Sequence, residues 1–253
     1  MQKTKLLIGI ILGLTIAFIG FRVFKQDTIA DFIRPIIVPL VTVLYCTRTN
    51  RRRGHFFYFL FLFSLGELLG VLYYYLPYYN IMDDVMYYGC NTLYIAAYVS
   101  LILYILKLFD FNRVFKQFSA HIVILLALDI YAVVLVADIA FKSVNLNSIY
   151  DYAMELAYNT AIMLLLTVAV INYLNKDSRK AMHLLIGSIC IVFSEVIQVA
   201  YYYVSEIYIL KVAYCLLLVV AFFLFYIQNW LYHNVPKVYS VDKPEVIKKA
   251  EAS

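Results

Sequence analysis

Two glutamates, Glu67 and Glu195, lie deep inside apolar stretches of the chain. A carboxylate near the centre of a bilayer costs about 2.5–3.5 kcal/mol on insertion scales, so such a residue is expected to face the bundle interior and to have a function. At 1.5 Å per residue, Glu67 lies about 20 Å from the inner end of its predicted helix, and Glu195 reaches a similar depth. Two carboxylates at one level are typical of acid–base chemistry.

Other polar side chains are predicted in the same layer, in the outer half of the membrane. Arg34 opens its apolar stretch and can reach inward, and Gln198 lies one helical turn beyond Glu195. The remaining members of this layer are Asn91 and a stripe along one helix face formed by Asp151, Glu155 and Asn159. Because several helices direct polar groups to one depth, the sequence predicts a polar cavity.

Structural roles for the same residues stay open at this point. Asn91 and Asn159 can hydrogen-bond neighbouring helices, an interaction worth about 1 kcal/mol in membrane bundles. Glu67 and Glu195 can pair with Arg34 or with tyrosine hydroxyls as structural links between helices.

The composition predicts the elements that must position these groups. Hydrophobic residues make up 64% of the 253 residues and charged residues 15%, against about 45–50% and about 25% in soluble domains. This excludes a soluble or disordered chain and predicts an all-α, polytopic membrane protein. Its eight spans are predicted near residues 5–24, 29–47, 55–77, 82–106, 117–141, 150–174, 181–204 and 207–232. They form a transmembrane domain over residues 1–234, followed by a polar tail over residues 235–253.

The distribution of basic residues predicts the orientation. With eight spans, one side of the membrane carries sixteen Lys and Arg residues and the other side five. The positive-inside rule therefore places both termini in the cytoplasm of a bacterial-type inner or cell membrane. The first span is predicted to be retained rather than cleaved as a signal peptide. The basic loops are assigned to topology and to contact with membrane lipids rather than to nucleic acid.

Metal and cofactor chemistry has no support in the sequence. The four histidines are far apart, the four cysteines show no CxxC spacing, and phosphate-binding glycine loops are missing. We therefore predict no metal ion and no other cofactor. Two acidic residues of the predicted fifth span, Asp129 and Asp138, receive no assigned role, and the oligomeric state is left open.

An internal repeat relates the two halves of the chain. A shift of 128 residues aligns the segment from Glu67 to Tyr75 with the segment from Glu195 to Tyr203, so that both glutamates and both Tyr-Tyr-Tyr runs coincide. The shift moves each span by four, an even number, so the halves would have the same orientation. The sequence thus predicts a parallel repeat of four plus four helices.

Several short motifs resemble those of the YhhN family of integral membrane proteins. Arg34-Pro35 stands where that family commonly has Lys-Pro, and the stretch ending in Gly66-Glu67 resembles its Ser-Leu-x-Gly-Asp motif. The other similar positions are Asn91 with Tyr94, Tyr158 with Met163, the motif from Gly187 to Ser194-Glu195, and Gln228. The resemblance covers spans 2–4 and 6–8.

The resemblance implies an enzymatic activity. Characterised members of the family are lysoplasmalogenases, which hydrolyse the vinyl-ether bond of a lysophospholipid. Glu67 and Glu195 would be the catalytic pair, in the positions of the two key Asp residues of the family. The residues expected to bind the lipid substrate are Arg34, Asn91, Tyr94, Glu155, Asn159, Gln198 and Gln228.

Departures from the family pattern leave a second function open. Both key Asp residues are Glu here, the Lys is Arg34, and the His is Asn91. A glutamate carboxyl group is one methylene further from its backbone, whereas catalytic groups must be placed within about 0.5 Å. The alternative is a non-catalytic bundle that binds lipid, or that couples transport to protons, through the same polar cavity.

Overall fold

The computed structural model describes residues 2–48, 54–75, 80–109, 111–142, 148–205, 207–229 and 231. The predicted tail over residues 235–253 and residues 49–53, which carry part of the basic excess, lie outside these residues. Eight α-helices follow one another: α1 (Gln2–Val23), α2 (Asp27–Arg48), α3 (His55–Tyr75), α4 (Asn80–Leu106), α5 (Phe111–Lys142), α6 (Ile149–Lys176), α7 (Arg179–Val199) and α8 (Tyr208–Gln228). A π-helical turn, Ala200–Val204, continues α7.

All eight helices are long and apolar enough to cross a membrane, and the described residues contain no strand. The all-α, eight-span prediction is therefore confirmed. Helix α5 begins six residues before its predicted span, and its backbone leaves helical geometry at Phe118 (φ −121°, ψ 18°). The predicted start at residue 117 thus falls at this kink, where the apolar part of the helix begins.

Local sequence signals account for where α6 and α7 begin and for the tight connection between them. Ser148 caps α6 in a capping box with Asp151, and Ser178 caps α7 by accepting a hydrogen bond from the amide of Ala181. Between these helices Asp177 adopts a left-handed conformation with φ 38°, which a short polar side chain tolerates. The two helices therefore form an αα-hairpin with a two-residue connection.

Six helices close into a ring in the order α2, α3, α4, α6, α7, α8, with α8 packed back on α2. Helices α1 and α5 lie outside it, where α1 packs mainly on α2 and α5 mainly on α6. The main neighbours of the first four helices are thus repeated among the last four. The parallel internal repeat of four plus four helices itself stays a prediction.

Aromatic side chains fill the interior of the ring. Phe59 stacks on Phe222 with 5.4 Å between ring centroids, and Phe63 meets Phe222 edge-on at 4.7 Å. Each such pair contributes about 0.5–1.5 kcal/mol beyond its buried area. Since lipid tails are as apolar as the helices, this close packing and polar links are what hold membrane helices together.

Two helix contacts depend on glycine. A Cβ atom at Gly187 would lie 2.5 Å from the ring of Phe225, and one at Gly66 would lie 2.9 Å from the ring of Tyr94. Phe225 is fully buried, so its ring cannot move aside without disturbing the core.

Helix α2 has a different irregularity, since Pro35 and Pro39 lie within it and cannot donate amide hydrogen bonds to the preceding turn.

We expect Gly187→Ala to lower the thermal unfolding temperature of the purified protein, because overpacking a core costs about 1–3 kcal/mol. The matched control is Gly89→Ala, since a Cβ atom at Gly89 meets nothing within 4 Å. Alanine is the better helix former, so the control should be neutral or stabilised. Equal unfolding temperatures for the two variants would contradict the packing described for α7 and α8.

Candidate functional site

A cleft opens between α2, α3 and α4 at the end of the bundle where α2 begins and α3 ends. It has a volume of about 190 Å³. Its walls are formed by Thr28, Asp31, Phe32, Arg34 and Pro35 from α2, by Glu67, Gly70 and Val71 from α3, and by Tyr94 from α4. We call the helix ends at this side the distal end, and those at the side where α1 begins and α8 ends the proximal end.

Exposure decreases steadily from the rim of the cleft to its floor. The Asp31 side chain is 44% exposed, that of Arg34 is 23% exposed and that of Glu67 only 4% exposed. The cleft therefore leads from the surface of the protein to a buried carboxylate. Pro35 also lines the cleft, and as a proline it cannot donate an amide hydrogen bond to the carbonyl of Asp31.

Arg34 and Tyr94 hold the carboxylate of Glu67. The Arg34 Nη2 atom lies 3.6 Å from Glu67 Oε1, and the Tyr94 hydroxyl donates a hydrogen bond of 3.2 Å to the same oxygen. Behind the guanidinium group the Tyr214 ring lies 5.4 Å away, a cation–π contact. The absent side chain of Gly66 lets Tyr94 approach α3 closely enough to make its bond.

Glu195 lies in a second polar group next to this one. The Tyr98 hydroxyl donates a 2.7 Å hydrogen bond to Glu195 Oε1, and the Tyr158 hydroxyl approaches both of them. Glu195 interacts electrostatically with Arg34 and Glu67, although it does not line the cleft. The rings of Tyr94 and Tyr158 are in contact, with 6.5 Å between their centroids, so the two polar groups are neighbours.

Ion pairs surround the rim of the cleft. Arg22 of α1 is fully buried and binds both Asp27 and Asp31 of α2. Lys211 of α8 lies 3.4 Å from the other oxygen of Asp31. Asp31 thus has two cationic partners, which tie α1, α2 and α8 together at the distal end.

Three predicted site residues lie between α4 and α6. Asn91 donates to the backbone carbonyl of Tyr87 at 2.9 Å, and Asn159 donates to that of Glu155 at 2.8 Å. Both amides therefore bond within their own helices. The Tyr87 hydroxyl donates to Glu155 across the two helices at 3.2 Å, so this group links α4 to α6 rather than lining the cleft.

The structure does not bring the two predicted glutamines into the cleft. Gln198 is half-buried and, among the described residues, makes no hydrogen bond with either glutamate. Gln228 is fully buried at the proximal end of α8, and it is fourteen residues, or about 21 Å of helix, from Tyr214. A lipid-binding role for either glutamine stays a prediction without support from contacts.

The acidic residues of α5 lie outside the ring. The carboxylate of Asp129 accepts a 2.7 Å hydrogen bond from the buried Thr167 hydroxyl of α6, which links these two helices. Asp138 is exposed and lies further along α5. Neither residue lines the cleft.

Sequence reasoning missed Tyr98, Asp31 and Tyr214. Tyr98 follows Tyr94 by one helical turn and Asp31 precedes Arg34 by almost one, so helical spacing from the predicted residues was a signal for both. Tyr214 reaches Arg34 through the closure of the ring, and it is placed by a 2.7 Å hydrogen bond from Ser194 to its carbonyl. No pattern in the sequence shows that contact.

Comparison of the chain with family models, with curated proteins and with solved structures gives no match. The similarity to the YhhN family therefore rests on the motifs alone. Among the described residues, no group of three or more His, Cys, Asp or Glu side chains is placed to hold a metal ion. The chemistry available at the cleft is that of carboxylates, an arginine and tyrosine hydroxyls.

We expect Arg34→Met to destabilise the protein more than the double variant Arg34→Met/Glu67→Gln. Removing one partner of a buried ion pair leaves an unpaired charge and costs about 3 kcal/mol or more, and Glu67 is the more deeply buried partner. Neutralising Glu67 as well removes that charge. Thermal unfolding of the two single variants and of the double variant measures the coupling, and strictly additive losses would show that the two residues do not interact.

Proposed function

We propose that this protein is an integral membrane hydrolase that cleaves the vinyl-ether, or a related ether, bond of a lysophospholipid. The observation that carries the proposal is a cleft of about 190 Å³ that ends at a buried glutamate beside an arginine. The motifs around Glu67 and Glu195 support it, since they resemble those of a family with this activity. Each glutamate accepts a hydrogen bond from a tyrosine hydroxyl, Glu67 from Tyr94 and Glu195 from Tyr98, and these hydroxyls can exchange protons with the carboxyl groups.

Hydrolysis of a vinyl ether begins with a proton and consumes one water molecule. Transfer of a proton to the β-carbon gives an oxocarbenium ion, which water captures to form a hemiacetal once it has lost a proton. The hemiacetal then collapses, its C–O bond breaks, and the products are a fatty aldehyde and the glycerophospho-alcohol. Carboxyl groups that exchange protons and stabilise a cation perform the same tasks in glycosidases.

The geometry favours different roles for the two glutamates. Glu67 lines the cleft, so it is the one that can contact a bound lipid and exchange a proton with it. Glu195 is behind the cleft and acts through Tyr98 and Tyr158, whose hydroxyls it positions. Arg34, nearer the rim, is suited to bind the phosphate of the head group.

The size of the cleft fits only part of a lipid. Its volume of about 190 Å³ is below the roughly 300–1,000 Å³ of sites that enclose a drug-sized molecule. The hydrocarbon chain would therefore stay outside, against the apolar surface of α2 and α3. Exposed side chains on these helices offer such a surface, namely Ile29, Ile36, Leu68 and Leu72.

Proton-coupled transport is the second candidate. Two deep carboxyl groups within one helix bundle are typical of proton relays in transporters. The packing next to Glu67 favours the hydrolase, because Phe63, one turn earlier on α3, contacts both Tyr94 and Phe222. These rings fill the interior of the bundle where a transport path would run.

We expect the purified protein to release fatty aldehyde from lysoplasmalogen, and Glu67→Gln to lower the rate by about a hundredfold or more, as loss of an acid–base group does. Glu195→Gln should also lower it, by weakening the hydroxyl network. The matched control is Asp129→Asn, which neutralises a carboxylate outside the cleft and should leave the rate unchanged. Aldehyde release is followed with a coupled dehydrogenase.

Two results would contradict the hydrolase. Full activity in both Glu67→Gln and Glu195→Gln would exclude the carboxylate mechanism. No aldehyde from any ether-linked lysolipid, together with proton-dependent uptake of solute into proteoliposomes, would favour the transporter instead.

The orientation in the membrane is a further part of the proposal. The excess of basic residues in the proximal loops supports a cytoplasmic proximal end and cytoplasmic termini, with the cleft opening on the other side. In a chain lacking its native cysteines, Gln26→Cys at the distal end should react with a membrane-impermeant maleimide on intact cells. Asn112→Cys at the proximal end should react only after permeabilisation, and the reverse pattern would overturn the orientation.

A further inference from the structure

Two arginines near the distal end differ in how their donors are used. Arg22 donates hydrogen bonds to both Asp27 and Asp31. Among the described residues, the ionic partner of Arg34 is Glu67 at 3.6 Å, which is beyond the usual length of a hydrogen bond. The Nε atoms of both arginines are buried without a hydrogen-bond partner in this part of the chain, so the difference lies in the terminal nitrogens. A guanidinium group carries four N–H donors on these two nitrogens, and those of Arg34 make no hydrogen bond to a described residue beside the cleft.

We propose that Arg34 is the receptor for a phosphate group that enters the cleft. In the absence of phosphate, Glu67 is the ionic partner of Arg34, and the phosphate displaces it as a competitor for the guanidinium group. The inference rests on the proposed function for the assignment of phosphate to Arg34. It adds that binding of the head group exchanges the partner of Arg34, and so releases the carboxylate of Glu67 for chemistry.

The contacts around Arg34 suit such an exchange. Guanidinium groups bind phosphate through two parallel hydrogen bonds, whereas the contact with Glu67 is a single long one. Tyr214 supports the guanidinium from behind at 5.4 Å, so the group stays in position when its partner changes. Glu67 keeps its hydrogen bond from Tyr94 and is not left without a partner.

Neighbouring charges do not compete for Arg34. Asp31, the other acidic residue of the cleft, binds Arg22 and Lys211. The titratable groups that surround the Arg34–Glu67 pair are Asp31 from α2, Cys90 and Tyr94 from α4, Glu195 from α7, and Tyr214 and Cys215 from α8. Within this group, Glu67 is the acid in direct ionic contact with Arg34.

Binding is tested without hydrolysis, using two phosphodiesters that contain no ether bond. Ester-linked lysophosphatidylglycerol in detergent and its free head group, glycerophosphoglycerol, are titrated into the purified full chain by isothermal titration calorimetry. We expect Arg34→Gln to weaken binding about tenfold or more, the factor that one hydrogen bond to a charged group supplies. Glu67→Gln should instead tighten it about tenfold, because the competitor has lost its charge. Asp129→Asn is the control and should bind like the wild type.

Each outcome decides the proposal. Weaker or unchanged affinity in Glu67→Gln would overturn the role of Glu67 as a competitor for Arg34. An affinity of Arg34→Gln equal to that of the wild type would overturn the role of Arg34 as the phosphate receptor. Tight binding of both ligands would show that the site accepts phosphodiesters in general. Binding of lysophosphatidylglycerol alone would show that the site is specific for a lipid of the membrane. Failure of these binding tests together with normal aldehyde release would remove the exchange at Arg34 but keep the hydrolase. Success of the binding tests without aldehyde release would keep the exchange and remove the hydrolase.

Discussion

The cost of a carboxylate inside an apolar bundle determines much of this structure. Glu67 and Glu195 can be buried because other helices bring partners to them: Arg34 from α2, Tyr94 and Tyr98 from α4, and Tyr158 from α6. These partners fix which helices must be neighbours and at what level. The ring order from α2 to α4 and on to α6 and α7 is the arrangement that brings these partners to both carboxyl groups.

The same constraint separates the polar groups of the bundle into those that link helices and those that face the cleft. Hydroxyl groups and helix-capping side chains bind within or between helices, as Thr42 does with Ser64 at 2.7 Å and Asp151 with Ser148. Arg34 and Glu67 differ, because they interact with each other loosely and border open space. Incomplete pairing at a cleft, rather than polarity as such, is what distinguishes the candidate site.

The fold could be predicted from the sequence because the fold depends on short-range patterns. Apolar length predicts the helices. The depth of Glu67 and Glu195 predicts an inward face, which their burial confirms, whereas Asp138 lies in a similar stretch and is exposed. Contacts that depend on closure of the ring of helices could not be predicted from the sequence. Nothing within α8 shows that Tyr214 lies behind Arg34, and the spacing of Asn91 and Asn159 does not reveal that their amides bond within their own helices.

The two prolines of α2 have a consequence for how the cleft can change its width. At Pro35 and again one turn later at Pro39, the helix lacks an amide bond that would resist bending. The segment before Pro35 carries Asp31 and Arg34, one side of the cleft, and it is held at its start by Arg22 of α1. Bending of α2 at these prolines would move this wall and change the width of the cleft, while the ion pairs with Arg22 tie the start of α2 to α1.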